Sequence, residues 1–404
     1  MKIAVWILAD YKHQIGGGFA LYDKFIQQID NYDFSPEIEV CFIGQNSASN
    51  YKFKKRYTQL KFFGSLSNSL FSPLQKLFAR FSHRIGLLNR FQKSILNSEN
   101  IDLIFYPVQG FRKIGNFPFV VSNWDTGHKA SYAFPELAMN YSFNYRDKWY
   151  SKDIFKALLV FAESVAGREE LIYYTHLNPD RVKILPLFPG GVVDLQVDKI
   201  IQEEKLSHLK LSAGKYFFYP AQFWAHKNHY NLLVAFKQVV KEYPEFQLVL
   251  TGSDKGNKKY IVESVENLGL TDNVLFTGFI DNETMLALYS NAAAMVMPSF
   301  LGPTNMPLLE ARLLHCPVLC SHLPGHKEIM QDGAFYFDPA NAVEMANQMI
   351  KVLNDHERLG LLEKARTSIN NSKFSTEYAL AKLNEHFIHL QAIRKAWGKS
   401  DKIF

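Results

Sequence analysis

The chain has 404 residues, with 45 Lys plus Arg against 39 Asp plus Glu, 47% hydrophobic and 14% aromatic side chains, and three cysteines. So much apolar surface offsets chain entropy and excludes a disordered chain, while Cys41, Cys316 and Cys320 are too few for a disulfide scaffold and read as small buried hydrophobes of a reduced compartment. At about 150 residues per domain the length predicts two domains, and with no run near the roughly 18 apolar residues of a spanning helix the expected location is the cytoplasm.

Residues 3–8 are an unbroken apolar run of strand length, too short for a signal-peptide core, and His13-Gln14-Ile15-Gly16-Gly17-Gly18 follows it. Phe19, Tyr22, Phe25, Ile26 and Ile29 then recur at helical spacing, which predicts strand, glycine loop, helix. Between Tyr51 and Ser94 there are ten basic residues and no acidic one. Within that stretch Leu74, Leu77, Phe78, Phe81, Ile85 and Leu88 form one helical stripe and Lys76, Arg80 and Arg84 another, so residues 73–91 predict a basic amphipathic helix. It fits an anionic membrane surface, and equally a sheet-covering helix with a solvated charged face. Nucleic acid is not an expected partner, because no recognised module accompanies the charge.

Short apolar runs at 38–43, 103–106, 119–122, 158–162 and 182–185 alternate with helical segments and predict a parallel sheet flanked by helices. The pattern degrades over 189–214 and a second alternating series begins at 216, with strands at 247–251, 274–277, 293–297, 317–320 and 335–337. Two such units in tandem would turn the C-terminal ends of their strands towards a shared cleft.

Residues 298–311 carry the most chemical information. A strand ends, turn formers follow, and Pro307 opens a helix where its missing N–H would be orphaned anyway. Free amides around Thr304, Asn305, Met306, Leu308 and Leu309 would make an anion site there, with Glu310 near enough to accept from sugar hydroxyls. An ordinary strand-helix connection with a dipole-favoured Glu fits the same residues. Residues 220–229 repeat the pattern and present Lys227, whose ammonium suits a diphosphate, although for a lone Lys at a helix start solvated surface is the commoner role.

Together these stretches resemble the retaining, glycogen-synthase-like glycosyltransferases of GT-B fold, family four. The resemblance is carried by Lys227-Asn228-His229, Leu248-Val249-Leu250-Thr251-Gly252, Val274-Leu275-Phe276-Thr277-Gly278-Phe279, Met297-Pro298-Ser299, Pro307-Leu308-Leu309-Glu310-Ala311 and Cys316-Pro317-Val318. It departs at two points: the first of the family's paired glutamates would fall on Gly302, and the Arg five residues before the Lys is Gln222. Gly-Pro-Thr-Asn followed by Pro-Leu-Leu-Glu is similar to a subgroup of bacterial cell-surface enzymes.

The resemblance implies an α/β protein of two Rossmann-like domains whose parallel sheets face a central cleft. The expected division is an acceptor domain over 1–190 with a basic insertion at 51–94, a linker over 191–213, a donor domain over 214–375, and a helix over 376–404 returning to the N-terminal domain. The implied reaction moves a hexose from a nucleotide sugar to a saccharide or lipid-linked glycan with retention of configuration, with no cofactor and, as no Asp-x-Asp occurs in the chain, no metal.

The donor would be held by Gly16, Gly17, Gly18, Gln222, Lys227, Gly252, Thr304, Asn305, Met306 and Leu308, with Glu310 on the ribose and the backbone at Phe279 and Ile280 around the base. His128, in Trp124-Asp125-Thr126-Gly127-His128, falls where the family carries a loop His beside the transferred sugar. Asp125 and Glu136 would orient that loop or accept from acceptor hydroxyls. The enzyme would work in the cytoplasm, at the inner face of the membrane if 73–91 binds there. A GT-B sugar-nucleotide epimerase and a non-catalytic sugar-nucleotide or polysaccharide binding protein would share the donor site, and both stay open.

Overall fold

The structure, a computed structural model, describes residues 1–8, 17–44, 52–60, 87–109, 114–131, 134–138, 142–368 and 371–396. Gly16 and most of the predicted basic helix over 73–91 therefore lie outside the described residues.

Strands β1 (Lys2–Ile7), β2 (Glu39–Gly44), β3 (Tyr57–Gln59), β4 (Leu103–Tyr106), β5 (Phe119–Asn123), β6 (Val160–Ala162) and β7 (Val182–Ile184) form a parallel sheet in the order β3-β2-β1-β4-β5-β6-β7. Both faces are covered, so the strands are apolar on both sides. Ile3, Val5 and Ile7 of β1 enter one core with Phe25 and Ile26, while Ala4 and Trp6 enter the other with Leu96 and Leu171. That is the two-residue alternation of a strand. β3 was not expected: as a three-residue edge strand it pairs only with β2, so it needs no apolar run, and Phe53 stacked on Phe42 at 4.3 Å anchors its approach.

The second sheet is also parallel, in the order β10-β9-β8-β11-β12-β13, built from β8 (Tyr216–Pro220), β9 (Gln247–Thr251), β10 (Val274–Gly278), β11 (Ala294–Met297), β12 (Val318–Ser321) and β13 (Phe335–Phe337). Its central strand β8 buries Tyr216 and Tyr219 completely, and each phenol finds an acceptor, at Leu288 O (2.9 Å) and Lys227 O (2.7 Å). Buried tyrosines need such partners.

Residues 191–213, expected as a linker, are packed structure. A 3-10 turn over Gly191–Asp194 and the helix Lys199–His208 bury Val192 and Leu206 in the second core. The final helix Thr376–Lys395 crosses back to the first sheet, burying Leu383 and Phe387 beside Phe105, with Arg394 paired to Asp102 at 3.2 Å. Among the described residues no helix is long and apolar enough to cross a membrane.

Strand order reverses between β1 and β4 in the first sheet and between β8 and β11 in the second. Parallel α/β sheets open their ligand crevice at such points, beyond the carboxyl ends of the strands. The two sheets place these ends around one cleft.

Candidate active site

The cleft has a volume of about 960 Å³ and is lined from both domains. On the C-terminal side, β8 runs into residues 221–224 and then a single 3-10 turn, Ala225–Lys227. Asn228 reverses the chain at φ +60°, a conformation Asn tolerates better than most residues. Its amide donates to Pro298 O (2.9 Å) and Pro339 O (2.7 Å), so the turn is locked from two directions. Lys227 thus precedes the helix His229–Glu242 and points its ammonium at Asn305 Oδ1, 2.6 Å away. Burial lowers the Lys227 pKa to about 8, with partial opposition from Asp125 and Glu163.

Asn305 is itself held. Its Nδ2 donates to His326 Nε2 (2.8 Å), and His326 Nδ1–H donates to Ser321 O (2.8 Å), which sets the tautomer. Burial keeps His326 neutral, with a pKa pushed down to about 3. A relay from β12 through His326 and Asn305 therefore positions the Lys227 ammonium, and His326 was not singled out from the sequence. Gly302, in the same loop, has φ +119°, and a Cβ there would meet Thr304 O at 2.8 Å, so the chain cannot carry the family's glutamate at this position as it is folded.

Two expectations for the helix Met306–Leu313 need correction. The Leu308 N–H is not free for an anion, because it donates to Asn305 O at 3.0 Å. Thr304 donates through both its hydroxyl and its N–H to Glu163, which follows β6 of the other domain. Burial, little opposed by these bonds, raises the Glu163 pKa to about 8. Glu163 was missed by the sequence reasoning, though its place directly after a buried strand was a usable signal.

Glu310 does not line the cleft. It is 6% exposed and accepts from Tyr289 OH at 2.9 Å and from the Gly190 N–H, and burial raises its pKa to about 7. Gly252, Phe279 and Ile280 are likewise outside the cleft lining. A Cβ at Gly252 would overlap Ala221 O, so that glycine serves close strand packing, and Phe279 is 67% exposed. Gln222, Thr304, Asn305 and Met306 do line the cleft, with Gln222 donating to Ser253 Oγ (3.2 Å) and accepting from the Trp224 indole (3.0 Å). Gly17 and Gly18 open the helix Gly17–Asn31.

On the N-terminal wall, Asp125 accepts from Arg146, from the Gly127 N–H (2.9 Å) and from Gln109 (3.0 Å). Burial works against its charge, but these partners hold its pKa below the usual carboxylate range. Glu136 reaches across to the other domain and accepts from the His226 N–H (3.0 Å) and Nδ1 (2.5 Å). The His128 ring, expected beside the transferred sugar, is fully buried between Tyr150 (4.7 Å) and Phe143 (5.6 Å) and is not among the cleft-lining residues. Burial, helped by Arg146, pushes its pKa down to about 4.

Residues 201–373 match the family model described as "Glycosyl transferases group 1". That match covers less than half of the chain, and the two parallel sheets facing one cleft give the protein the GT-B fold. The serotype-specific mannosyltransferase WbdA of Escherichia coli is 25% identical over 240 residues, 57% of this chain and 29% of that protein. The matches to the first curated relatives span from 28% to 58% of those proteins' length.

Two solved structures superpose over almost the whole chain. Sucrose-phosphate synthase from Thermosynechococcus elongatus has a TM-score of 0.72 at 19% identity, covering 97% of this chain and 99% of that one. Alr3699/HepE of Anabaena, in complex with UDP, has a TM-score of 0.67 at 16% identity, covering 96% and 100%.

Proposed function

We propose that this protein transfers a hexose from a nucleotide sugar to a glycan or lipid-linked acceptor, with retention of configuration and without a metal ion. The observation that carries this reading is the Lys227 ammonium held by Asn305 in a cleft between two Rossmann-like domains, beside a helix start. The reaction breaks the bond from the anomeric carbon to a diphosphate oxygen and joins that carbon to an acceptor hydroxyl oxygen, whose proton passes to the departing phosphate. Its main demand is stabilising the negative charge that develops on the diphosphate, which preorganised donors in the cleft can do. Lys227 supplies a full charge, and Gln222 and Trp224 line the same wall. The WbdA relative is named for mannosyl transfer and the Alr3699/HepE neighbour binds UDP, which supports the substrate class without choosing base or sugar.

The test is a thermal-shift screen of nucleoside diphosphates and nucleotide sugars, followed by transfer assays with the hits in excess EDTA. A binder raises the melting temperature by mass action. No shift with any nucleotide would sink the reading, and activity lost in EDTA and restored by Mg²⁺ or Mn²⁺ would remove its metal-free part. The reading includes an anionic membrane partner for residues 73–91, and salt-insensitive indifference to phosphatidylserine vesicles would delete it.

A further inference from the structure

The wall of the cleft facing Lys227 includes one side of the helix Val165–Thr175. Ala166, Glu169, Glu170, Tyr173 and Tyr174 all line the cleft, at the three- and four-residue spacing of a single helical stripe, while Gly167, Leu171 and Thr175 are buried on the other side. Tyr173 is 71% exposed, and its ring meets that of Tyr174 edge-on at 5.0 Å. An open Tyr173 ring beside the half-buried ring of Tyr174 presents flat apolar faces with polar rims to the cleft, and such rings pack against the C–H faces of sugars while their hydroxyls hydrogen-bond.

The charges on this stripe narrow the ligand. Among the described residues neither Glu169 nor Glu170 forms an ion pair, and Glu170 accepts from the Thr126 hydroxyl. Carboxylates so placed accept from neutral hydroxyls and repel anions. The platform is also rigid. Ser164 Oγ accepts from the Gly167 N–H (2.9 Å), Glu328 from the Val165 and Ala166 N–H groups (2.8 and 2.9 Å), and Arg168 donates to Val182 O (2.8 Å). At 1.5 Å per residue, Tyr173 and Tyr174 stand about 10–12 Å along the helix from Ala166, whose neighbour Gly167 packs so closely on the loop at Pro303 that a Cβ there would meet it at 3.2 Å.

We infer that Tyr173, Tyr174, Glu169 and Glu170 form a subsite for neutral hexose units of the acceptor glycan, engaging units beyond the one that receives the transferred sugar. This rests on the glycosyl-transfer reading for its role, but the binding it asserts can be measured alone. The probes are gluco- and manno-oligosaccharides of one to four units, uronic-acid oligomers of equal length, and free nucleoside diphosphates, titrated by calorimetry against wild type, Tyr173→Ala, Tyr173→Phe and Tyr174→Ala.

The expected result is that wild-type affinity for one neutral series rises about tenfold with length and that both alanine variants lose this gain. Tyr173→Phe should keep it, the uronic series should bind more weakly, and diphosphate affinity should not change. If diphosphate binds but affinity is independent of oligosaccharide length, or is unaffected by Tyr173→Ala, the subsite is wrong and the transfer reading stands. If no nucleotide binds while length-dependent, Tyr173-dependent saccharide binding persists, the transfer reading fails and the subsite stands. Absence of all binding overturns both.

Discussion

The Lys227 ammonium is buried enough to have its pKa lowered to about 8 and is held by one neutral acceptor, Asn305. Asp125 and Glu163 act on it without contact, and a diphosphate would supply a contacting counter-charge. Lys227→Ala is expected to weaken nucleoside diphosphate binding about ten- to a hundredfold, the equivalent of ~1.5–3 kcal/mol for a charged hydrogen bond, with little change in melting temperature. In the wild type, affinity should fall as pH rises through about 8, because the ammonium loses its proton there and not near 10.5. Calorimetry at several pH values checks this, and a pH dependence shared by the variant would remove Lys227 from the site. His128 leads to the opposite kind of expectation. Neither ring nitrogen has a hydrogen-bond partner among the described residues, so a phenyl ring of similar shape would remove an uncompensated desolvation cost. His128→Phe should melt at or above the wild-type temperature and retain kcat; a fall in kcat at constant donor Kd would restore His128 to the sugar's side.

At the level of elements, the helix Val165–Thr175 is secured by a carboxylate from the other domain. Glu328 takes the N–H groups of Val165 and Ala166, two of the donors that a helix start leaves without intrahelical partners, and its charge suits the positive end of the helix dipole. The helix bearing Glu328, Pro324–Met330, begins against the cleft loop so closely that a Cβ on Gly325 would lie 1.1 Å from Pro303 O. Loss of this cap in Glu328→Ala is expected to cost about 1–2 kcal/mol in denaturant unfolding and to speed amide exchange at 165–166. Unchanged exchange at those two amides would show that the cap is not formed in solution. The elements themselves were largely legible beforehand. Residues 216–219 and 294–297 carry only aromatic and aliphatic or thioether side chains because parallel strands covered on both faces are almost wholly apolar, and Pro307 marked its helix start. The edge strand β3 and the packed segment 191–213 were not, since neither needs a continuous apolar run.

Across the whole molecule, the domains meet through polar groups: Glu163 with Thr304, Glu136 with His226, and Glu328 with the helix start. Glu163 has its pKa raised by burial from 4.5 to about 8, so unfolding releases its proton in between. The stability this contributes is complete below about pH 4.5 and is lost as pH rises through about 8. Glu163→Gln should therefore show a shallower decline in melting temperature from pH 5 to 8.5 than wild type, with a residual slope from Glu310; equal slopes would mean that Glu163 is already ionised in the folded protein.

The amino-acid sequence alone determined the two α/β units, the strands of both sheets except β3, and the candidacy of Lys227 and Asn305, because apolar periodicity, glycine and proline punctuation and charge at strand ends are local signals. Tertiary structure alone decided that Glu163 meets Thr304 across 141 residues, that His326 orients Asn305 across 21, and that His128 is enclosed while Tyr173 stays open. Those outcomes depend on how two sheets and their covering helices are packed, and burial of a polar side chain follows from its surroundings in space, which residue spacing along the chain does not specify.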